Sequence, residues 1–321
     1  MRIFIAGAAG AIGRRLTPML VERGHEVVGT TRSSDRAALI RAMGADAVVM
    51  DGLDAASVRR AVWSARPEVV VHQMTALPDA PDLRRFDETF STTNRLRTEG
   101  TDHLLAASRA AGVECVVAQS FAGHPYARVG SWIKSENDPL DPDPPAQLRR
   151  TIEAIAYLED RVLETPGIEG IALRYGGFYG PGTSIEPGSS IVEALMRRRF
   201  PIVGPGTGVW SFVHIDDAAE ATVASLERGR PGIYNVVDDE PAAVSDWLPV
   251  LAEAVGAPPP RRVPIWIGRI AAGSLAVTMM TEIRGASNAK AKRELDWRPV
   301  HPTWREGFRE IFTSPAVLRS A

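Results

Sequence analysis

The sequence predicts an α/β fold, a doubly wound parallel sheet followed by a smaller C-terminal lobe. Three observations carry that prediction. Through residue 175, apolar runs rich in β-branched residues alternate with longer amphipathic segments, the pattern of βα units building a parallel sheet. A glycine-rich turn, Gly7-Ala8-Ala9-Gly10-Ala11-Ile12-Gly13, stands between the first apolar run and the first amphipathic segment. Beyond residue 175 the alternation weakens and Gly and Pro accumulate, as in Gly180-Pro181-Gly182, Pro187-Gly188 and Gly204-Pro205-Gly206, which reads as loops around short elements.

Taken in order, the expected strands are 2–6, 26–30, 46–50, 68–73, 114–119 and 169–174, giving a sheet of six. The expected helices include 11–23, stopped by Gly24, and 97–111, where Leu104, Leu105, Ala107 and Ala111 fall at helical spacing. A third spans 146–165. Between strand five and that helix, Glu136 to Pro145 (ENDPLDPDPP) reads as a rigid acidic loop at the surface. The expected division is a dinucleotide-binding domain over 1–175 and a lobe that is mainly substrate-binding over 176–321, with some segments returning to the first domain.

Composition excludes several classes. The chain has 321 residues, 45% of them apolar and 24% charged, with a formal net charge of −2, which is ordinary globular composition. No basic field exists to hold a phosphate backbone, so nucleic acid is not an expected partner. Cys115 is the single cysteine, and the six histidines show no metal-ligand spacing, so no disulfide framework and no metal site is expected. The N-terminal apolar run is too short for a signal peptide, and Ile270 to Met280 is too short to cross a bilayer, which together point to a cytoplasmic protein with no membrane partner. Basic charge comes almost entirely from arginine, with lysine only at 134, 290 and 292.

The glycine-rich turn is what a pyrophosphate requires: glycines that turn tightly, backbone that approaches the ligand, and helix N-terminal amides aimed at negative charge. Its G-x-x-G-x-x-G spacing resembles the extended short-chain dehydrogenase/reductase family, the NAD-dependent epimerase/dehydratases, and a Rossmann-type domain with a C-terminal substrate lobe follows from that resemblance. Further segments resemble the same family: Asp51-Gly52-Leu53-Asp54, Gly100-Thr101 with Leu104-Leu105, Arg174 to Gly182, Phe212-Val213-His214-Ile215-Asp216-Asp217-Ala218, and Ala289 to Pro299. The resemblance implies cofactor contacts from Gly7, Gly10, Ala11, Ile12 and Gly13, from Asp51, Gly52 and Leu53 at the adenine, and from Thr75 and Tyr175. It implies a substrate site around Met74, Ala122, His124, Gly177 and Trp210, and a homodimer formed through the helices 97–111 and 146–165. The end of strand two reads Thr31-Arg32-Ser33-Ser34, with Thr31 where NAD binders of the family carry Asp. Arg32 can fork onto a 2′-phosphate, so NADP is the expected cofactor, with NAD the alternative.

The family's chemistry rests on Ser, Tyr and Lys. Ser120 takes the serine position at the end of strand five. Four residues after the five tyrosines come Gly130, Arg161, Tyr179, Thr183 and Asp238, so no Tyr-x-x-x-Lys exists. Alignment puts Thr151 at the tyrosine position and Ile155 at the lysine position, while Tyr157 with Arg161 lies too near strand six to replace them. Tyr126 is the expected substitute acid/base, with His124 beside it able to share the proton work. The family's Asn before Gly-Thr is Arg97 here, with Asn94 one turn earlier, and Lys134 reads as a solvated lysine.

In sugar-nucleotide members an Asn and an Arg hold the substrate diphosphate. The aligned positions here are Gly177 and Trp210, which favours a planar or apolar ligand. Trp266, Ile267, Ile270, Ala271, Leu275, Met279 and Met280 can line a pliable apolar wall. The expected activity is an NADP-dependent oxidoreductase acting on a carbonyl or alcohol of a moderately apolar small metabolite. The alternatives are a redox-neutral epimerase, isomerase or dehydratase using bound cofactor, and a non-catalytic NADP-binding sensor.

Overall fold

The computed structural model describes residues 1–78 and 82–313. Seven parallel strands form the central sheet: β1 Arg2–Ala6, β2 Glu26–Thr31, β3 Asp46–Val49, β4 Val69–His72, β5 Cys115–Phe121, β6 Glu169–Tyr175 and β7 Gly232–Val236. Their spatial order is β7-β6-β5-β4-β1-β2-β3. The expected sheet of six is corrected to seven. The run Gly232–Val236 lies in the stretch read as lobe, yet it pairs with β6 from Gly232↔Ile171 to Val236↔Tyr175.

The helices that cover the sheet are α1 Gly13–Glu22, α2 Ser34–Ala42, α3 Ala55–Ala65, α4 Ser91–Arg97, α5 Glu99–Ala111, α6 Arg149–Glu164 and α7 Ile215–Arg228. Alternation along a strand sends neighbouring side chains to opposite faces. Ile3 and Ile5 of β1 therefore join Leu16 and Leu20 of α1 and Ala218 and Ala221 of α7, while Phe4 and Ala6 join Val58 and Val62 of α3 and Leu104 and Leu105 of α5. The helix expected over 97–111 is two helices. Thr98 breaks them apart with φ −99 and ψ −82, its hydroxyl bonded back to the Asn94 carbonyl at 3.0 Å.

The second core belongs to the C-terminal lobe, where Trp247 of α8 (Val244–Ala254) meets Phe212, Trp304 and Phe308. The stretch expected to form an apolar wall splits in two. In α9 (Ile265–Ala272) Trp266 and Ile270 are 64% and 70% exposed, whereas in α10 (Ser274–Thr281) Leu275, Met279 and Met280 are buried. Two further readings change. Lys134 is buried, its ammonium bonded to the Val129 carbonyl at 2.7 Å and to Asp138 at 3.2 Å, and Asp141 of the acidic loop is buried against Arg128 at 2.7 Å. No helix among the described residues is long and apolar enough to cross a membrane.

Candidate active site

β1 lies between β2 and β4, so the chain leaves β1 and β4 on opposite sides of the sheet and opens a crevice at their C-terminal ends. The cleft found there is lined by Gly7, Ala9 and Gly10 after β1, Thr30 to Arg32 at the end of β2, Arg36 in α2, Met50 and Gly52 after β3, and Gln73 to Thr75 after β4. Leu96 closes one end. Gly7 has φ +99, and a Cβ there would stand 2.7 Å from the Gln73 carbonyl oxygen, so only glycine turns the chain at this point. At Gly13 a Cβ would meet the Ala8 carbonyl at 2.5 Å, which fixes how closely α1 approaches β1. These glycines leave a backbone-lined concavity at a helix N-terminus, the geometry a dinucleotide pyrophosphate fits.

Thr31 closes β2 with no acidic side chain, while Arg32 and Arg36, both exposed, form no ion pair among the described residues. Of the other residues expected at the cofactor, Ala11, Ile12 and Gly13 belong to the turn and helix start rather than the cleft wall. Asp51 accepts from the Leu53 amide at 3.0 Å, and it is Gly52 between them that faces the cleft. Tyr175 is fully buried, its hydroxyl within 2.7 Å of the Thr222 hydroxyl and accepting at 3.4 Å from Gln73, which lines the cleft, and burial pushes its pKa up to about 12.

A second chamber opens beyond β5 and β6, lined by Phe121, Ala122, Gly123, His124, Gly177, Trp210, Ser211, Met279 and Ile283. The His124 ring lies 4.5 Å from Phe121 and 6.0 Å from Phe86, which stacks on Phe90 at 4.1 Å. Burial, with a smaller contribution from Arg97, pushes the His124 pKa down to about 3, which favours the neutral imidazole. Its Nε2 is sealed and unpartnered. Trp210 presents its ring to the chamber while its indole N–H donates to the Met279 carbonyl at 3.0 Å.

Neither Ser120 nor Tyr126 lines the cleft or the chamber. Both are drawn into a buried network. Register places Ser120, Arg174 and Asn235 side by side across β5, β6 and β7. Arg174 grips Glu159 of α6 bidentately at 2.7 and 2.6 Å, Ser120 donates to the same carboxylate at 2.5 Å, and Tyr126 donates to Asn235 at 2.5 Å while accepting from Arg174 at 3.1 Å. Burial raises the Tyr126 pKa, outweighing the opposing Arg174. Ser120, expected to polarise the substrate, and Tyr126, expected to act as its acid/base, both have their hydroxyls hydrogen-bonded inside the core.

The tyrosine position is equally closed. Thr151 is buried, donating to Asp87 at 2.7 Å and accepting from Asn94 at 3.0 Å, and Asp87 also takes the backbone amides of Arg150 and Thr151 at the start of α6. Ile155 is buried. Tyr157 and Arg161 both bond Asp102 of α5 on the exposed face. Sequence reasoning missed Arg36, in the first turn of α2 beside the end of β2, and it missed Gln73 and Phe121 as lining residues, whereas Met279 of the expected apolar wall does line the chamber.

The chain belongs to the NAD dependent epimerase/dehydratase family, whose model matches residues 3–236. It is an NAD(P)-dependent enzyme of that extended short-chain type, an oxidoreductase or an epimerase/dehydratase. A 3-diazoavenalumate denitrifying reductase from a Streptomyces species is 43% identical over 311 residues, covering 96% of this chain and 99% of the relative. A UDP-glucose 4-epimerase from Mycolicibacterium smegmatis is 29% identical, covering 93% of this chain and 94% of its own. Among solved structures, the Thermus thermophilus UDP-glucose 4-epimerase complex with NAD superposes with a TM-score of 0.74 at 26% identity, covering 100% of both chains. The Thermotoga maritima UDP-glucose 4-epimerase with UDP-glucose gives 0.76 at 24% identity over 100% of this chain and 99% of that one, a likeness of fold.

Proposed function

We propose that this protein is an NADP-dependent reductase that removes a diazo group from a planar aromatic substrate. The observation that carries the reading is the chamber itself: its walls are aromatic and aliphatic, its histidine is neutral, and the positions of the family's proton-transferring pair are Thr151 and Ile155. A ketoreductase needs a proton for the developing alkoxide. Bound reduced nicotinamide would supply hydride to the ring carbon of an aryl diazonium; there the C–N bond would break with its electron pair leaving in N2, a C–H bond would form, and no protein proton would be required. The 43% identity to a reductase whose name describes denitrification of a diazo acid supports the same chemistry.

In this reading Gly7 and Gly10 approach the pyrophosphate, and Arg32 and Arg36 hold the 2′-phosphate. Met74 and Thr75 line the cleft on the nicotinamide side, and Phe121, His124, Trp210 and Met279 grip the ring by stacking and exclude water. Ala122 and Gly177 leave room for a flat ligand. A homodimer through α5 and α6 is part of the proposal, checked by sedimentation equilibrium.

The test mixes purified protein with NADPH and an ortho-diazophenol bearing a conjugated carboxylate, alongside a protein-free control. The expected result is one NADPH oxidised per N2 released, with deuterium from 4-deuterated NADPH appearing at the ring carbon that carried nitrogen. NADPH oxidation without deuterium in the arene, or no acceleration over the control, sinks the reading.

A further inference from the structure

Arg97 ends α4. The preceding residue, Leu96, lines the cleft. The charge of Arg97 is felt at His72, just before the cleft-lining Gln73, and at His124 in the chamber. The side chain is only 7% exposed, yet it forms no salt bridge among the described residues, and its one hydrogen bond is a long one, 3.5 Å, to the amide oxygen of Asn94. Its Nε and Nη2 have no hydrogen-bond partner among the described residues. Burial pulls its pKa down to about 10, Glu159 acting weakly in the opposite direction, and it remains a cation at neutral pH.

A buried guanidinium without a carboxylate is costly, and the nearby Arg174 shows how this fold satisfies one when its role is structural, with two bonds to Glu159. We propose that Arg97 anchors an anionic oxygen of the substrate, the carboxylate or phenolate of a planar conjugated aromatic acid. The choice of an aromatic acid rests on the reductase reading above. The anion anchor itself stands on burial and missing partners.

The experiment is calorimetry on NADP⁺-saturated protein with 4-hydroxycinnamate, its methyl ester, 4-methoxycinnamate and the neutral methyl 4-methoxycinnamate. Wild type binds at least one anionic probe more tightly than the neutral one. Arg97→Gln weakens that anion by roughly 10- to 100-fold, the range for a charge-assisted bond, and shifts the neutral ester by less than about twofold. Arg97→Lys recovers part of the loss. Loss of affinity on esterification assigns the carboxylate, and loss on methylating the phenol assigns the phenolate. Equal weakening of acid and neutral ester, a matching fall in NADP⁺ affinity with anion preference kept, or no anion preference in the wild type overturns the proposal. The wild-type comparison needs no variant to fold. Failure of diazoarene reduction with anion binding intact would remove only the reaction proposed above, whereas turnover with anion binding insensitive to Arg97 would remove only this anchor.

Discussion

The cleft beside β1 and the chamber beside β5 open at the same ends of parallel strands and handle polar groups in opposite ways. In the cleft, Arg32 and Arg36 stand exposed without ion pairs among the described residues, and Gln73 keeps a buried carbonyl oxygen with no partner. Beside the chamber, the hydroxyls of Ser120 and Tyr126 are turned inward, and Ser120, Tyr126, Arg174, Glu159 and Asn235 satisfy one another. What faces the chamber is Phe121, His124, Trp210 and Met279. Unused hydrogen-bonding capacity marks where a ligand belongs, and saturation marks where the fold is being held. The residues of a proton relay have become a brace between α6 and three strands.

The largest effect that tests this contrast is in the brace. Glu159→Ala leaves Arg174 buried without its carboxylate, and breaking a buried pair in this way costs about 3–5 kcal/mol. Urea unfolding measures it through the midpoint at unchanged slope. A loss under about 1 kcal/mol would mean the network is slack and the contrast overdrawn.

Next in size is the cleft. Arg32→Glu combined with Arg36→Glu should weaken NADPH by on the order of 10- to 100-fold while changing NADH by less than about threefold. Calorimetric titration with each nucleotide checks it. Equal losses for both would place the arginines on a group the two cofactors share.

A smaller effect follows from buried histidines. His124 and His72 are held neutral by burial, with pKa values pushed down to about 3 and about 4 against an unfolded value of 6.5. The unfolded chain therefore binds more protons as pH falls below 6.5, so stability present at neutral pH is lost progressively between 6.5 and about 4 for His72 and about 3 for His124. His124→Phe should remove its share, seen as a shallower fall of melting temperature with acid. An unchanged slope would mean that His124 protonates freely.

The sequence made the cleft legible because its parts are local: a glycine turn, an arginine after a strand, Gly52 after the next. The brace was not legible, because it exists only in register. Ser120, Arg174 and Asn235 meet across β5, β6 and β7, and Asn235 lies in a strand whose surroundings read as lobe. Lys134 misled for the same reason: a polar turn by composition, it folds beneath the Val129 carbonyl. Trp266 and Ile270 misled in the other direction, since an apolar run without a visible partner does not say which face is covered.

The smallest expected effect is the sharpest for mechanism. Ser120→Ala and Tyr126→Phe each remove a hydroxyl that would be indispensable if the family's proton relay operated here. In this fold each removes a hydrogen bond in the brace, worth about 1 kcal/mol of stability, with NADPH-dependent turnover kept within about threefold. Tyr126→Phe leaves Asn235 Oδ1 without its donor, so its stability loss should be the larger of the two, because Glu159 retains Arg174 when Ser120 is truncated. A fall in turnover of a hundredfold or more in either variant, at a temperature where both are folded, would mean that the hydroxyl leaves the brace when substrate binds. The chamber would then act on its substrate by proton transfer after all, and the redox reaction without a proton donor would have to be abandoned.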